Sequence, residues 1–250
     1  MEITILGSGT GIPNLQRNAA GILIEVQKER LLFDTGPGIM KKLLESGITY
    51  HDIPYVFYTH FHPDHTLDLA VLLFAAKYNL SLRTKKLSII GPKGLKNLYH
   101  GLLNVYGSVL NPEAYQIYLQ EIEEQSLTIG SLNIRALHTQ HTPESMGYRI
   151  ESQNAVVVYS GDTEMCENII ALGKDADILI LDCSFPNELK AKGHLIPQEA
   201  AEIAKACHCK KLILSHLYPV CQPEEAVKQA RKIFKEGEVK AAFDLMRFTF

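Results

Sequence analysis

Short apolar runs separated by turn residues predict strands along the first part of the chain. Residues 3–6 stop at Gly7, and runs 21–26 and 31–33 flank a polar turn at 27–30. Asp34-Thr35-Gly36-Pro37-Gly38 leads into an amphipathic segment, 39–44, and the apolar run 55–58 meets Thr59-His60 directly. Between residues 66 and 76 nearly every position is apolar, which predicts a buried helix rather than a strand. Residues 87–90 read as a short strand and 92–103 as a helix with proline in its first turn.

Between 111 and 138, Ile117, Leu119, Leu127, Ile129, Leu132, Ile134 and Ala136 alternate with polar positions, predicting two or three strands. Runs 148–150 and 155–159 follow, the second ending at Ser160-Gly161-Asp162. The last third predicts a strand at 178–181, a helix at 198–207 begun by Pro197, and a strand at 212–214. A helix at 223–234 carries Glu224 and Glu225 in its first turn, where the helix dipole favours acids, and a strand at 247–250 ends the chain. Two sheets with helices outside them, one βα half after another, is the expected architecture. No Gly-, Ser- or Pro-rich linker divides the halves, so one domain over 1–250 is expected.

Composition narrows the function classes. With 250 residues and 46% hydrophobic content the chain can bury a core, which excludes disorder and disulfide-stapled miniatures. Lys+Arg number 25 against 28 Asp+Glu, so the net charge of −3 gives no bulk affinity for phosphate backbones. The basic cluster Arg83, Lys85, Lys86, Lys93 and Lys96 reads as a solvated face. Five cysteines form no CxxC pair, and neither a signal segment nor an apolar run of membrane-spanning length is present, so a cytoplasmic location without membrane contact is expected.

The ten histidines change the picture through their placement. Thr59-His60-Phe61-His62-Pro63-Asp64-His65 puts three histidines and an aspartate in a proline-stiffened loop directly after a strand. Imidazole and carboxylate are the ligands of borderline divalent metals, and three or more make a site. Two metal centres can share this loop, with His60 and His62 on one and Asp64 and His65 on the other. Asp162, His141 and His216 follow three further predicted strands. Helix capping is the competing reading of Asp162. His51, His100 and His208 belong to no such pattern. Cys207-His208-Cys209 is too short a ligand set and reads as structural, and Ser8-Gly9-Thr10-Gly11 lacks the lysine of a nucleotide-binding loop.

The His60–His65 segment resembles the HxHxDH motif of the metallo-β-lactamase superfamily. Leu6-Gly7-Ser8-Gly9-Thr10-Gly11-Ile12-Pro13 with Arg17-Asn18 resembles the opening of its ribonuclease Z branch. Similar too are His141 ahead of Gly147-Tyr148-Arg149-Ile150, Ser160-Gly161-Asp162-Thr163, Gly193-His194 and Phe243-Asp244-Leu245-Met246. The resemblance covers the whole chain in order and implies an α/β fold, the αβ/βα four-layer sandwich. It implies that His60, His62 and His141 hold one divalent metal and Asp64, His65 and His216 a second, with Asp162 bridging. His138 is the rival of His141. Asp34 would orient the metal loop through hydrogen bonds. The metals would be zinc first, with manganese or iron as alternatives, and the resemblance suggests a homodimer.

The implied chemistry is phosphodiester hydrolysis by metal-activated hydroxide, with Asp64 steering the nucleophile and His194 protonating the leaving oxygen. An exposed turn is the competing reading of His194. Ribonuclease Z enzymes commonly carry a long basic arm, in many bacterial members between the Gly-Tyr-Arg and Gly-Asp-Thr segments. Here only residues 151–159 fill that interval. A small or cyclic phosphodiester is therefore the expected substrate. Processing of precursor transfer RNA at its 3′ end is the alternative, and a non-catalytic metal-binding protein is a further one.

Overall fold

Apolar residues occupy both faces of the central strands, so each sheet needs cover on two sides. In the computed structural model, which describes residues 1–79 and 81–250, that cover comes from the other sheet on one side and from helices on the other. The first half runs β1 (Glu2–Gly7), β2 (Gly21–Val26), β3 (Glu29–Phe33), α1 (Ile39–Glu45), β4 (Tyr55–Phe57), α2 (Pro63–Thr66), α3 (Asp68–Tyr78), β5 (Leu87–Pro92), α4 (Leu95–Tyr106) and β6 (Ile117–Ile122). The second runs β7 (Gln125–Ile129), β8 (Leu132–His138), β9 (Met146–Glu151), β10 (Val156–Tyr159), α5 (Glu167–Gly173), β11 (Ile178–Asp182), α6 (Pro197–Cys207), β12 (Lys211–Ser215), α7 (Pro223–Arg231) and β13 (Glu238–Ala241). β14 (Met246–Thr249) returns to pair with β1.

Strand order is β14-β1-β2-β3-β4-β5-β6 in one sheet and β13-β12-β11-β10-β9-β8-β7 in the other. Each sheet starts as an antiparallel meander and turns parallel, from β3 onward in the first and from β10 onward in the second. This shared topology supplies the repeat that residue identity does not display. Side chains divide by parity. Ile178, Ile180 and Ile213 enter the core between the sheets, while Leu179, Leu181, Leu212 and Leu214 pack under the outer helices. The four layers are the αβ/βα sandwich expected for the metallo-β-lactamase fold.

Four local expectations change. The 66–76 run is helical, but of its apolar residues only Leu69, Leu72, Leu73 and Ala76 are buried, while Leu67, Val71, Phe74 and, just beyond it, Tyr78 form an exposed stripe. Uniform apolarity carries no periodicity, so it could not reveal which face meets the sheet. Pro92 ends β5 rather than starting a helix, and α4 begins after Gly94. The alternating region between 111 and 138 splits between sheets, with β6 in the first and β7 in the second. Arg83 leaves the basic face altogether. It is 1% exposed, and its guanidinium donates to the carbonyls of Tyr50, Ile53, Lys85 and Lys86 at 2.7 to 2.9 Å, over the Tyr115 ring.

No helix among the described residues is long and apolar enough to cross a membrane. Arg83 is a structural strut, because removing it orphans the buried Ile53 carbonyl and three half-buried ones and leaves a void, the buried carbonyl alone costing about 1–3 kcal/mol. Arg83→Ala is expected to lower unfolding free energy by about 3 kcal/mol or more in urea titration, with Arg83→Lys recovering less than half, since an ammonium cannot reproduce the planar fork.

Candidate active site

The chemistry-bearing residues sit where strands end. Asp34 follows β3, Thr59-His60 follows β4, Asp162 follows β10, Asp182 closes β11 and His216 follows β12. Within each sheet these strands are parallel, so their C-terminal ends share one edge, where ligands of open α/β sheets collect. Asp34 and His216 adopt the left-handed conformation, with φ of 58° and 56°, which costs free energy outside glycine and needs firm neighbours. Gly161, also left-handed, lets the two sheets meet here. A Cβ on it would lie 2.6 Å from that of Thr59.

Asp34 is fully buried and accepts hydrogen bonds throughout. Its Oδ1 takes the Thr59 N–H at 2.9 Å. Its Oδ2 takes the Thr59 hydroxyl at 2.9 Å, the Tyr159 hydroxyl at 2.8 Å and His65 Nδ1–H at 2.8 Å. These bonds join both sheets to the histidine loop. They also commit His65 Nδ1–H to Asp34, so that Nε2 is the nitrogen turned to the cluster as a candidate metal ligand.

Other histidines are held by the same device. His141 Nδ1–H donates to the Gly193 carbonyl at 2.8 Å. The Ser184 hydroxyl donates to Asp182 Oδ1 at 2.6 Å and accepts from His216 Nδ1–H at 3.0 Å. The Thr59 hydroxyl, whose proton points to Asp34, accepts from His60 Nδ1–H at 3.1 Å. Each ring therefore turns its Nε2 toward Asp162. Asp162 Oδ2 lies 3.7 Å from Nε2 of both His60 and His141, and its Oδ1 lies 3.3 and 3.4 Å from Nε2 of His65 and His216.

This arrangement fits two cations. His65 Nε2 and His216 Nε2 face each other at 3.4 Å, as do His141 Nε2 and His62 Nδ1 at 3.1 Å. The buried His60 Nε2 and Asp162 Oδ1 have no hydrogen-bond partner among the described residues. Paired lone pairs and orphaned buried acceptors are compensated by a metal ion. His60, His62, His141 and Asp162 can hold one ion, and Asp64, His65 and His216 another. Burial and the neighbouring imidazoles push His60 well below its usual pKa, as a neutral ligand requires. Burial lowers His65 too, but the carboxylates of Asp162 and Asp34 outweigh it and raise the group well above the usual value. Burial opposes ionisation of Asp162, yet His216, His65 and His60 hold it well below the carboxylate range.

A third grouping, Asp162, Asp182, His194 and His216, serves another purpose. Asp182 Oδ2 accepts His194 Nδ1–H at 2.8 Å, so those atoms are committed to each other. The His194 ring stacks on His216, with centroids 5.5 Å apart, and lies 4.9 Å from His141. It stands at the edge of the cluster rather than on an isolated turn. Asp182 and Ser184 are site residues that the sequence motifs did not point to. Their position at the end of an apolar strand, like that of Asp162, is the signal that could have found them. His138 stays outside the cluster, with Nδ1 3.4 Å from the Ser145 carbonyl. Asp162 caps no helix, since α5 starts at Glu167 behind Cys166.

Comparison with known proteins agrees with this geometry. The chain belongs to the family described as Anti-Pycsar protein Apyc1, which matches residues 1–239. It lies in the metallo-β-lactamase superfamily, on the ribonuclease Z-like branch. A metallo-β-lactamase fold protein from Bacillus subtilis, YhfI, superposes with a TM-score of 0.89 at 26% identity, over 99% of this chain and 98% of that one. The short form of human tRNase Z shares the fold, with a TM-score of 0.81 at 24% identity over 100% and 99% of the two chains. Ribonuclease Z of Archaeoglobus fulgidus is 25% identical over 307 aligned positions, covering 100% of this chain and 98% of the relative. Fold and clustered ligands make the chain a metal-dependent hydrolase, which sets aside a purely metal-binding role.

Because Asp34 orients His65 without lying among the ligand clusters, Asp34→Asn is expected to weaken metal affinity about tenfold to a hundredfold. Metal titration checks this, with circular dichroism showing unchanged secondary structure.

Proposed function

We propose that the chain hydrolyses phosphodiesters, with small or cyclic ones, such as cyclic nucleotides, as its substrates. His60, His62 and His141 hold one metal and Asp64, His65 and His216 the other, with one oxygen of Asp162 toward each. Two divalent ions, when bound there, supply Lewis acidity for the attacking water and neutralise phosphoryl charge. Imidazole and carboxylate ligands suit zinc, and accommodate manganese or iron.

The single observation that carries the reading is His194, held by Asp182 beside both ligand sets. Burial disfavours its protonation, but the Asp182 hydrogen bond and the charges of Asp182, Asp162 and Asp64 win and raise its pKa above the usual value. Its protonated form can donate to the departing oxygen of a phosphodiester. Asp64 accepts the Gly11 N–H at 2.9 Å and faces His216 Nε2 at 3.3 Å. That position lets it steer the nucleophile as well as bind metal.

Substrate size follows from the hairpin between β9 and β10. Ser152 and Ala155 close it with a backbone bond of 2.9 Å, so no arm projects there. The Archaeoglobus ribonuclease Z aligns over 307 positions, so it carries insertions that these 250 residues lack. The names of such relatives support a second reading, maturation of transfer RNA 3′ ends, and by name alone they support it better.

Metal-loaded protein is expected to hydrolyse bis(p-nitrophenyl) phosphate and at least one cyclic nucleotide, and to lose both activities on chelation. Efficient cleavage of precursor transfer RNA without cyclic-nucleotide turnover would replace the first reading by the second.

His194→Ala is expected to lower turnover about 10²–10⁴-fold with metal content unchanged, and loss of metal instead would sink its acid role. Turnover needs the protonated imidazole, so it falls as pH rises through the His194 pKa. Asp182→Asn removes the charge that raises this pKa, and the alkaline limb of the pH–rate profile should move to lower pH.

A further inference from the structure

Two aromatic rings beside the metal cluster have no part in the chemistry above. Phe185, just after β11, and Tyr218, just after β12, stack with centroids 4.5 Å apart and planes 24° from parallel. Both are only half-buried, and the neighbouring Leu189 and Val220 are exposed. The pair adjoins the proposed proton donor, with the His194 ring 5.9 Å from Phe185 and 6.1 Å from Tyr218. Tyr218 also lies 6.0 Å from the His216 ring.

The rings are carried by backbone that already fixes the site. Tyr218 N–H bonds to the Ser184 carbonyl at 3.2 Å, and Cys221 N–H bonds back to the Tyr218 carbonyl at 2.8 Å. Ser184 is the residue whose hydroxyl contacts both His194 and His216. Buried Cys183 and Cys221 pack in the core beneath this segment. The aromatic wall is thus held in fixed relation to the proton donor, with little entropy left to lose when a planar group settles against it.

We infer that Phe185 and Tyr218 form a stacking subsite for the nucleobase next to the scissile phosphate. A base stacked beside His194 would be joined through its ribose to a phosphate placed at the ligand cluster. Base–aromatic stacking tolerates any base, because every base has a π face. This rests on the proposed phosphodiesterase reading but not on its choice between cyclic nucleotide and RNA, since both present a base there. The subsite selects nucleotides over phosphodiesters that lack a planar group.

Calorimetric titration of the metal-loaded protein with uridine 5′-monophosphate and with ribose 5-phosphate tests it without turnover. The two probes share the phosphate and sugar. The base is expected to improve affinity between about fivefold and a hundredfold in the native protein. Phe185→Ala and Tyr218→Ala should each bring the advantage below about threefold with metal content unchanged, while Tyr218→Phe keeps it. Equal affinity for the two probes, no measurable binding of either, or variants that retain the base preference would each overturn the subsite. Failure of cyclic-nucleotide hydrolysis alone would count against the substrate reading and leave this comparison intact.

Discussion

Asp162 is the constraint around which the molecule is arranged. A buried carboxylate lies within 3.7 Å of four imidazole nitrogens, and one of its oxygens has no hydrogen-bond donor among the described residues. Burying such a group without compensation costs several kcal/mol. The four Nε2 atoms share the problem, because each ring spends its Nδ1–H on the far side. Positive charge in the middle satisfies both sets at once, and two cations fit better than one because the two carboxylate oxygens face different histidines.

Holding these rings against their mutual repulsion falls to residues one layer out. Asp34, Thr59, Ser184 and the Gly193 carbonyl each take one Nδ1 proton. They come from both halves of the chain, so the site can form only once the sheets have packed. The left-handed backbone at Asp34 and His216 belongs to the same arrangement. Strand ends that bend sharply aim side chains across the sheet edge rather than along it, and the buried bonds of Asp34 keep that geometry in place.

The same framework separates binding from proton delivery. His216 and His194 stack nearly parallel and both lie beside Ser184 and Asp182, and His216 turns its Nε2 toward Asp162 at 3.4 Å. Asp182 accepts the His194 Nδ1 proton and raises the pKa of that ring, whereas the Ser184 hydroxyl is the nearer partner of His216 Nδ1. Two adjacent imidazoles thus acquire different surroundings from the distance of one carboxylate, which hydrogen-bonds His194 at 2.8 Å and stands 3.9 Å from His216.

Much of this was legible in the sequence. The His60–His65 loop, Asp162 and His216 stand out because strong ligands after apolar strands have few structural excuses, and period-two apolar runs marked most strands. By themselves the residues fixed the strand–helix alternation, the clustering of ligands in one loop and the lack of room for an arm at 151–159. Tertiary structure alone decided the rest. It chose which sheet each strand of the 111–138 region joins, because alternation gives a face but not a neighbour. It buried Arg83 and exposed one side of α3, because charge and apolarity do not say what lies opposite. It also made Asp182 and Ser184 part of the site, because their roles depend on rings 10 to 32 residues away in sequence that the pairing of β11 with β12 and the loop before α6 bring within 3.0 Å.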